Sequence, residues 1–339
     1  MVNNYDIGDG DITSSPLTIP YQFISDSNNL VNSNDITKST PLDHMEQGHR
    51  NFHAGEIQSA IISFEAAIQS QQQVQTKHKI LEKDVEAEAW HMLGRCHAEN
   101  DQDVKAISCL VRAVDRDPYN LDALLGLGVS YVNELDTLNA LSNLKMWIHH
   151  NPKYAGMEIE EDIYGDFNGH INGDGSGVDM DQVQTLLLQA SRWDPHDADV
   201  KEALGVCYNV SRDYEAAVDS LKEALEIKPD DYQLWNKLGA TLANSNRSDE
   251  ALPAYLQALK LKPKYARAWL NMAISHSNLQ NFEEAARCYL QTLSLNSNAV
   301  HCWSYLRIAL TCLERWDLLP LVAAQNLQEL KQHFDFVQY

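Results

Sequence analysis

The feature that most constrains this sequence is a repeat of 34 residues that closes on proline. Prolines stand 34 positions apart at Pro118 and Pro152, and again at Pro195, Pro229 and Pro263. Proline lacks a backbone donor and stops a helix, so each of these residues marks the end of a repeating unit. A unit that returns at a fixed step predicts a solenoid, in which each unit packs against its neighbours.

The residues between the prolines follow one grid of large and small positions. With the proline numbered 32, positions 4, 7 and 24 are large, whereas positions 8, 20 and 27 are Gly or Ala. One unit shows the whole grid: Trp235, Leu238, Gly239, Ala251, Tyr255, Ala258 and Pro263. Small residues let two helices approach closely, and large residues fill the seam between units. This is the tetratricopeptide pattern, which predicts two antiparallel helices in each repeat.

The grid divides the chain into five parts. The Asn-, Asp- and Ser-rich start is predicted to be flexible, with a short docked piece around Tyr21 to Ile24. A Gly-rich acidic stretch is predicted to be a mobile linker, and Val300 to Arg315 and Leu318 to Phe336 are predicted to form capping helices. The parts are a flexible segment at 1–41, repeats 1–3 at 42–152, the linker at 153–182, a degenerate repeat 4 with repeats 5–7 at 183–298, and a helical cap at 299–339. The predicted fold is an all-α tetratricopeptide superhelix of two groups of about three repeats.

Charge and composition exclude several classes of partner. The net charge of −22 argues against nucleic acid or an anionic membrane as the main target, and suits a cationic ligand or peptide. No run approaches 18 apolar residues, so no transmembrane segment is predicted. The six cysteines form no CxxC pair, and we interpret them as reduced thiols, mostly packed in the core, of a cytosolic protein.

No motif in the sequence predicts catalysis, a cofactor or a metal. The chain contains no GxSxG, HExxH, phosphate loop or dinucleotide fingerprint, so we predict that it is not an enzyme. The stretch NGDGSGVDMDQV resembles the middle of a calcium loop. It begins with Asn172, however, and has Val183 where the loop needs a bidentate Glu, so we predict no calcium site.

Asparagine recurs on the concave face of the predicted superhelix. Positions 2, 6, 9 and 13 of the first helix in each repeat share one face. They hold Gln233, Lys237, Ala240 and Asn244 in one repeat, and Arg267, Asn271, Ile274 and Asn278 in the next. An Asn at position 13, as at Asn133, is also a natural helix-ending residue, and this simpler interpretation stays open.

That simpler interpretation does not account for Asn236 and Asn271, which lie in mid-helix. Asn costs roughly half a kcal/mol relative to Ala there. A carboxamide offers donors and an acceptor together, so a row of Asn suits the backbone of an extended peptide. Lys237 and Arg267 share the stripe, and they suit the terminal carboxylate of such a peptide.

Longer stretches of the sequence resemble a specific family. The segment DYQLWNKLGATLANSNRSDEALPAYLQALKLKPKYARAWLNMAISHSNL resembles the cargo-binding domain of receptors for the type 1 peroxisomal targeting signal. YQF at Tyr21, HAEND at His97 and GLGVSYVNE before the linker resemble the same family, over about residue 40 to the end. The resemblance implies a non-enzymatic cytoplasmic receptor that binds C-terminal Ser-Lys-Leu-type tripeptides and cycles to the peroxisomal membrane or matrix.

The resemblance also implies which residues contact the peptide tail of the cargo. The implied contacts are Asn133, Asn236, Lys237, Ala240, Asn244, Arg267, Asn271, Ser275 and Asn278, with Asn246 as a further contact. Lys237 and Arg267 match the basic residues on the carboxylate side. From its charge alone, we expect Glu99 to attract the penultimate lysine of the cargo.

The chain departs from the family in its first hundred residues. Full-length receptors carry WxxxF/Y motifs for docking and a cysteine near the start, whereas this chain has no such motif and its first cysteine is Cys96. Peroxisomal docking proteins are therefore partners by resemblance only, and three interpretations stay open: a fragment of a longer receptor, a truncated gene model, or a form that depends on a partner for docking. Two other functions stay open: a tail-binding adaptor that regulates membrane channels, and a co-chaperone that binds an acidic chaperone tail.

Overall fold

A computed structural model of the chain describes residues 21–24, 40–73, 79–157 and 180–334, without the side chains of 71–73 and 79–83. Most of the predicted flexible start, most of the predicted linker and the last five residues lie outside this description. The described residues form sixteen α-helices and no strand, which confirms the all-α tetratricopeptide fold. The helices of repeats 1–3 are α1 (Pro41–His53), α2 (Ile57–Gln73), α3 (Lys79–Glu99), α4 (Asp103–Arg116), α5 (Leu121–Asn133) and α6 (Thr137–His150). The later helices are α7 (Met180–Trp193), α8 (Ala198–Ser211), α9 (Tyr214–Ile227), α10 (Tyr232–Asn244), α11 (Ser248–Leu261), α12 (Ala266–Asn278), α13 (Phe282–Leu295), α14 (Val300–Cys312), α15 (Leu319–Ala323) and α16 (Leu327–Lys331).

The closing prolines turn the chain from one repeat into the next. Helices α9 and α11 each end two residues before a proline, at Ile227 and Leu261. The indole of Trp235, at position 4 of the next helix, donates a 2.8 Å hydrogen bond to the carbonyl of Pro229. Trp269 makes the same 2.8 Å bond to Pro263. The large residue at position 4 therefore fixes the turn as well as filling the seam.

Glycine at position 8 is required by the close approach of the two helices of a repeat. A Cβ on Gly239 would lie 2.6 Å from the Tyr255 ring, and one on Gly94 would lie 2.6 Å from Leu110 Cγ. A real Cβ atom essentially never makes a non-bonded contact this short, so the glycines keep the helix pair in register. The packing positions identified from the repeat grid are thus the positions where helices touch.

The turns between paired helices share one backbone conformation. A non-glycine residue with positive φ stands in six of these turns: Asp101 (58°), Leu135 (59°), Arg212 (61°), Asn246 (63°), Gln280 (61°) and Glu314 (57°). This left-handed conformation reverses the chain between the two helices, and Asn tolerates it better than most residues. The structure therefore gives Asn246 a turn role.

The degenerate repeat 4 contributes one helix to the described stack. Helix α7 packs between α6 and α8, with Val183, Leu186, Leu187 and Ala190 buried. The preceding residues 158–179 lie outside the described part of the chain. Because α7 covers the face of repeat 3, the superhelix continues from repeat 3 into repeat 5.

The cap differs from the prediction in its second half. The predicted single helix from Leu318 to Phe336 is wrong. Instead, a 3₁₀ turn (Trp316–Leu318) leads into two short helices, α15 and α16. Gln325 has a φ of 52° and breaks the chain between these helices, after which Asn326 caps α16 by accepting a 3.2 Å bond from the Glu329 amide.

All six cysteines lie in described residues and are free thiols. Five are buried and Cys312 is exposed, as expected for core-packed thiols rather than a disulfide scaffold. Among the described helices, none has both the length and the apolar character needed to cross a bilayer.

Candidate peptide-binding cavity

The concave side of the superhelix encloses a cavity of about 700 Å³, called the central cavity below. Helices α3, α5, α8, α10 and α12 border it. Eight of the eleven predicted contact residues line it: Glu99, Asn133, Asn236, Lys237, Ala240, Asn244, Arg267 and Asn271. The stripe identified from helix periodicity therefore converges on one cavity.

The two mid-helix asparagines form a polar bridge between adjacent repeats. Asn271 Nδ2 on α12 donates to Asn236 Oδ1 on α10 over 3.1 Å. Asn236 is only 5% exposed, so this bond satisfies a buried amide oxygen. The bond uses one donor and one acceptor, so each carboxamide retains hydrogen-bonding capacity toward a peptide in the central cavity.

Both predicted cations are already paired. Lys237 lies 2.9 Å from Glu202, and Arg267 Nη2 lies 2.7 Å from Asp103. Burial works to lower the pKa of Arg267, but the carboxylates of Asp103 and Asp101 outweigh it and raise the pKa above its ordinary value. Arg267 is therefore a fixed charge in the wall, with guanidinium N–H groups left over after its contacts with the protein.

Glu99 does not present a free carboxylate to a ligand. Its side chain is 2% exposed, and its oxygens lie 2.5 Å from Lys262 Nζ and 2.5 Å from the Tyr232 hydroxyl. Burial, followed by the charge of Glu99, raises the pKa of Tyr232, so the hydroxyl stays a donor. The expectation that Glu99 attracts a cargo lysine is thus corrected, because the charge of Glu99 is taken by an internal lysine from helix α11's C-terminal end.

Further bonds join the same part of repeat 2 to the last repeats. Arg267 Nε donates to the Ala98 carbonyl over 2.6 Å, and Asn296 Nδ2 donates to the Asn100 carbonyl over 2.9 Å. We call the contacts of residues 98–103 with Tyr232, Lys262, Arg267 and Asn296 the clasp. The clasp links the two groups of repeats directly, so they surround the central cavity.

Three of the predicted contact residues do not line the central cavity. Ser275 is fully buried, because position 10 of α12 faces the helix packing and not the concave side, so its predicted place along the cavity wall is wrong. Asn246 lies in the turn after α10. Asn278 is exposed and donates a 3.3 Å bond to Ser248 Oγ. Asn133 makes an equivalent 3.2 Å bond to Asp103 but also lines the central cavity.

A second, smaller space opens from the central cavity. This side cavity of about 330 Å³ shares Asn133, Lys237, Ala240 and Asn244 with the central cavity. Its apolar walls come from Val129, Val132, Leu135, Val206, Val210 and Leu221. An apolar side chain bound beside the amides would find a matching chamber here.

Sequence reasoning missed Asn209, which lines the side cavity. Its Nδ2 donates over 2.9 Å to Thr241 Oγ1 on α10 and over 2.9 Å to the Gly205 carbonyl. It lies at position 12 of helix α8, outside the four positions considered. The available signal was a further asparagine in the last turn of a repeat's first helix, and Asn209 extends the amide row from α8 through α10 to α12.

The central cavity is acidic. Its acidic lining residues are Glu99, Asp101, Asp103, Asp122, Glu134, Asp199, Glu202 and Asp231, and its basic ones are Arg95, Lys228, Lys237 and Arg267. Asp122 and Glu134 form no salt bridge within the described residues. Burial and the nearby charge of Asp103 raise the pKa of Glu134 above its ordinary value. A cation beside Glu134 would relieve this repulsion.

The comparisons with known proteins agree with this architecture. Family profiles described as tetratricopeptide repeat match residues 182–232, 236–300 and 87–120. "Peroxisome biogenesis protein 5" of Arabidopsis thaliana is 39% identical over 181 residues, which are 52% of this chain and 21% of that protein. The matched residues carry tetratricopeptide repeats, and the chain is similar to peroxisomal targeting signal receptors.

Two further relatives show the same likeness. "Peroxisomal targeting signal 1 receptor" of Dictyostelium discoideum is 36% identical over 59% of this chain and 29% of its own length. "PEX5-related protein" of Mus musculus is 34% identical over 56% of this chain and 32% of its own length. The aligned part thus spans between a fifth and a third of the relatives that it matches, and the resemblance identified from the sequence is confirmed over about half of this chain.

Proposed function

We propose that this protein is a non-enzymatic cargo receptor that binds C-terminal Ser-Lys-Leu-type tripeptides and delivers matrix proteins to peroxisomes. The observation that carries the proposal is the amide bridge between Asn236 and Asn271, with Lys237 beside it on the wall of the central cavity. Amides at this spacing pair with a peptide backbone, and a lysine favours a terminal carboxylate. The names of the aligned relatives support the same reading.

The three residues of such a tail have complementary surroundings in this arrangement. The terminal carboxylate lies near Lys237, with the spare N–H groups of Arg267 and the asparagine amides as further donors. The apolar last side chain enters the side cavity. The penultimate lysine meets Glu134, which takes the role first expected of Glu99. Receptor cycling between cytoplasm and peroxisome, and docking proteins at the membrane, belong to the proposal by resemblance alone.

The charge of the central cavity supports this function over a chaperone-tail clamp. A clamp for an acidic tail needs several Lys or Arg residues along the cavity, whereas the lining here has eight acidic and four basic side chains. An acidic chaperone-tail peptide should therefore bind far more weakly than a peptide that ends in Ser-Lys-Leu.

The decisive measurement is a titration with fluorescent peptides that differ only at the terminal carboxylate. A peptide ending in Ser-Lys-Leu should bind, and its C-terminal amide should bind at least about tenfold more weakly, because a charge-assisted bond is lost. A scrambled Leu-Lys-Ser ending serves as the control for charge and length. Equal affinity for the acid and the amide would overturn the proposal.

A further inference from the structure

A short N-terminal segment is docked far from its neighbours in sequence. Tyr21 is 7% exposed and packs edge-on against Trp90, with ring centroids 5.7 Å apart. Phe23 lies 5.8 Å from the same indole. Arg112 also lies over the Trp90 ring, 4.7 Å from the ring centroid. The segment Tyr21–Ile24 thus occupies a groove between helices α2 and α3, here called the Trp90 groove.

Polar groups hold this segment by its side chain and by its backbone. The Tyr21 hydroxyl donates to Glu65 Oε1 over 2.7 Å, and the Ile24 amide donates to the same oxygen over 2.9 Å. The Tyr21 oxygen also lies 2.8 Å from His97 Nε2. Glu65 and His97 are both 0% exposed. Without Tyr21, these buried polar groups would lose a partner, which is costly.

His97 connects the Trp90 groove to the clasp. Its other ring nitrogen, Nδ1, lies 2.8 Å from the carboxamide of Gln102, which can turn its NH2 group toward Nδ1 when Nε2 carries the ring proton, so the imidazole braces the turn that carries residues 98–103. The backbone bond from Gln102 N to the His97 carbonyl, at 3.0 Å, closes the same turn. Gln102 stands between Asp101 and Asp103, the two carboxylates that hold Arg267. One chain of contacts therefore runs from Tyr21 to the wall of the central cavity.

We propose that Tyr21 is a positioning residue for tail binding: docking of Tyr21–Ile24 in the Trp90 groove holds the 98–103 turn in the form that places Arg267 at the central cavity. The proposal rests on the proposed function. Docking of the segment in the Trp90 groove then increases the affinity for a tail, and a bound tail stabilises the docked segment, because both depend on the 98–103 turn. A segment that leaves the groove would lower tail affinity without touching the central cavity.

The test compares two substitutions that each remove one hydroxyl from the full chain. Tyr21→Phe keeps the ring in the groove and breaks the bonds to Glu65 and His97. It should weaken binding of the Ser-Lys-Leu peptide roughly three- to tenfold. Tyr119→Phe, at a tyrosine that is 70% exposed, should leave the affinity within about twofold. Tyr21→Phe combined with Asp103→Asn should be less than additive, because both act through the same turn.

Hydrogen exchange of the unliganded protein separates this proposal from the proposed function. Tyr21→Phe should speed exchange at the amides of residues 98–103, and Tyr119→Phe should not. Unchanged exchange, or faster exchange with unchanged tail affinity, would overturn the coupling. If the unmodified protein binds no tail, the proposed function fails and the coupling to tails fails with it. Faster exchange in Tyr21→Phe would then still establish the brace.

Discussion

At the scale of single residues, the asparagines of the concave face have two separate roles. Asn236 and Asn271 pair across adjacent helices and face the central cavity. Asn278 instead bonds to Ser248 at the start of the preceding helix, and Asn246 supplies a left-handed turn. Residue type alone therefore does not define a contact residue. Whether an Asn can contact a ligand depends on which face of the helix it lies on and on how near it lies to the end of the helix.

The first prediction concerns Asn271. Replacing it with Ala should weaken binding of a Ser-Lys-Leu peptide by roughly 1–3 kcal/mol, because peptide groups and the Asn236 oxygen lose their donor. Asn143→Ala is the matched control, since among the described residues Asn143 bonds only locally, to the Asn139 carbonyl on helix α6. Fluorescence anisotropy measures both. An equal loss of peptide affinity in the two variants would show that Asn271 is not part of the binding site.

The second prediction concerns pH. Burial lowers the pKa of His97 from 6.5 to about 4. Below pH 6.5, His97 is therefore protonated in the unfolded chain but stays neutral in the folded protein. The free energy of unfolding then falls as the pH drops from 6.5 toward 4, by at most about 3 kcal/mol. Urea unfolding at several pH values should show this slope.

The control for the pH prediction is His97→Gln, which keeps a polar side chain but cannot titrate. Burial also lowers the pKa values of His44, His149 and His276, and these residues act equally in both proteins. The difference between the two stability curves therefore isolates His97. Parallel curves between pH 7 and pH 5 would contradict the prediction.

At the scale of elements, each repeat depends on the close approach of its two helices. Gly239→Ala should destabilise the fold by about 1–3 kcal/mol, because its Cβ would lie 2.6 Å from the Tyr255 ring. Gly156→Ala is the control, since a Cβ there meets no described residue within 4 Å, and its effect should stay within about 0.5 kcal/mol. Chemical denaturation measures both, and a neutral Gly239→Ala would show that Tyr255 can move away.

The helices and their packing positions could be predicted from the sequence, because a fixed step of 34 residues repeats both the large and the small positions. The second half of the cap could not, because it lies beyond the last repeat and no grid constrains it. Ser275 shows a finer limit. One residue along a helix turns the side chain by about 100°, and this rotation separates the half-buried Ile274 at position 9 from the buried Ser275 at position 10.

At the scale of the whole molecule, the clasp could not be predicted from the sequence. Glu99 and Lys262 lie 163 positions apart, and only the curvature of the stacked repeats brings them together. The sequence pattern showed an acid and a base on separate repeats, and gave no reason to pair them. For the same reason Glu99 was expected to be free for a ligand.

The fourth prediction tests the clasp by changing both of its buried charges. Lys262→Met alone leaves Glu99 buried without a cation and should cost about 3–5 kcal/mol of unfolding free energy. Adding Glu99→Gln removes the orphaned charge and preserves an acceptor for Tyr232, so the double variant should recover most of the loss. Equal stability of the two variants would show that the charges do not interact.

The long sequence separation of the clasp contacts has a consequence for the folding and unfolding rates of this protein. Its bonds join residues 133 to 196 positions apart, whereas paired helices meet over short stretches of chain. Closing so long a loop costs chain entropy before its contacts can stabilise the fold. We therefore expect the clasp to form after the folding transition state. Substitutions in it should then speed unfolding and leave the folding rate almost unchanged. We therefore expect the contacts of the clasp to affect the unfolding rate, and hence the lifetime of the folded molecule, more than the folding rate.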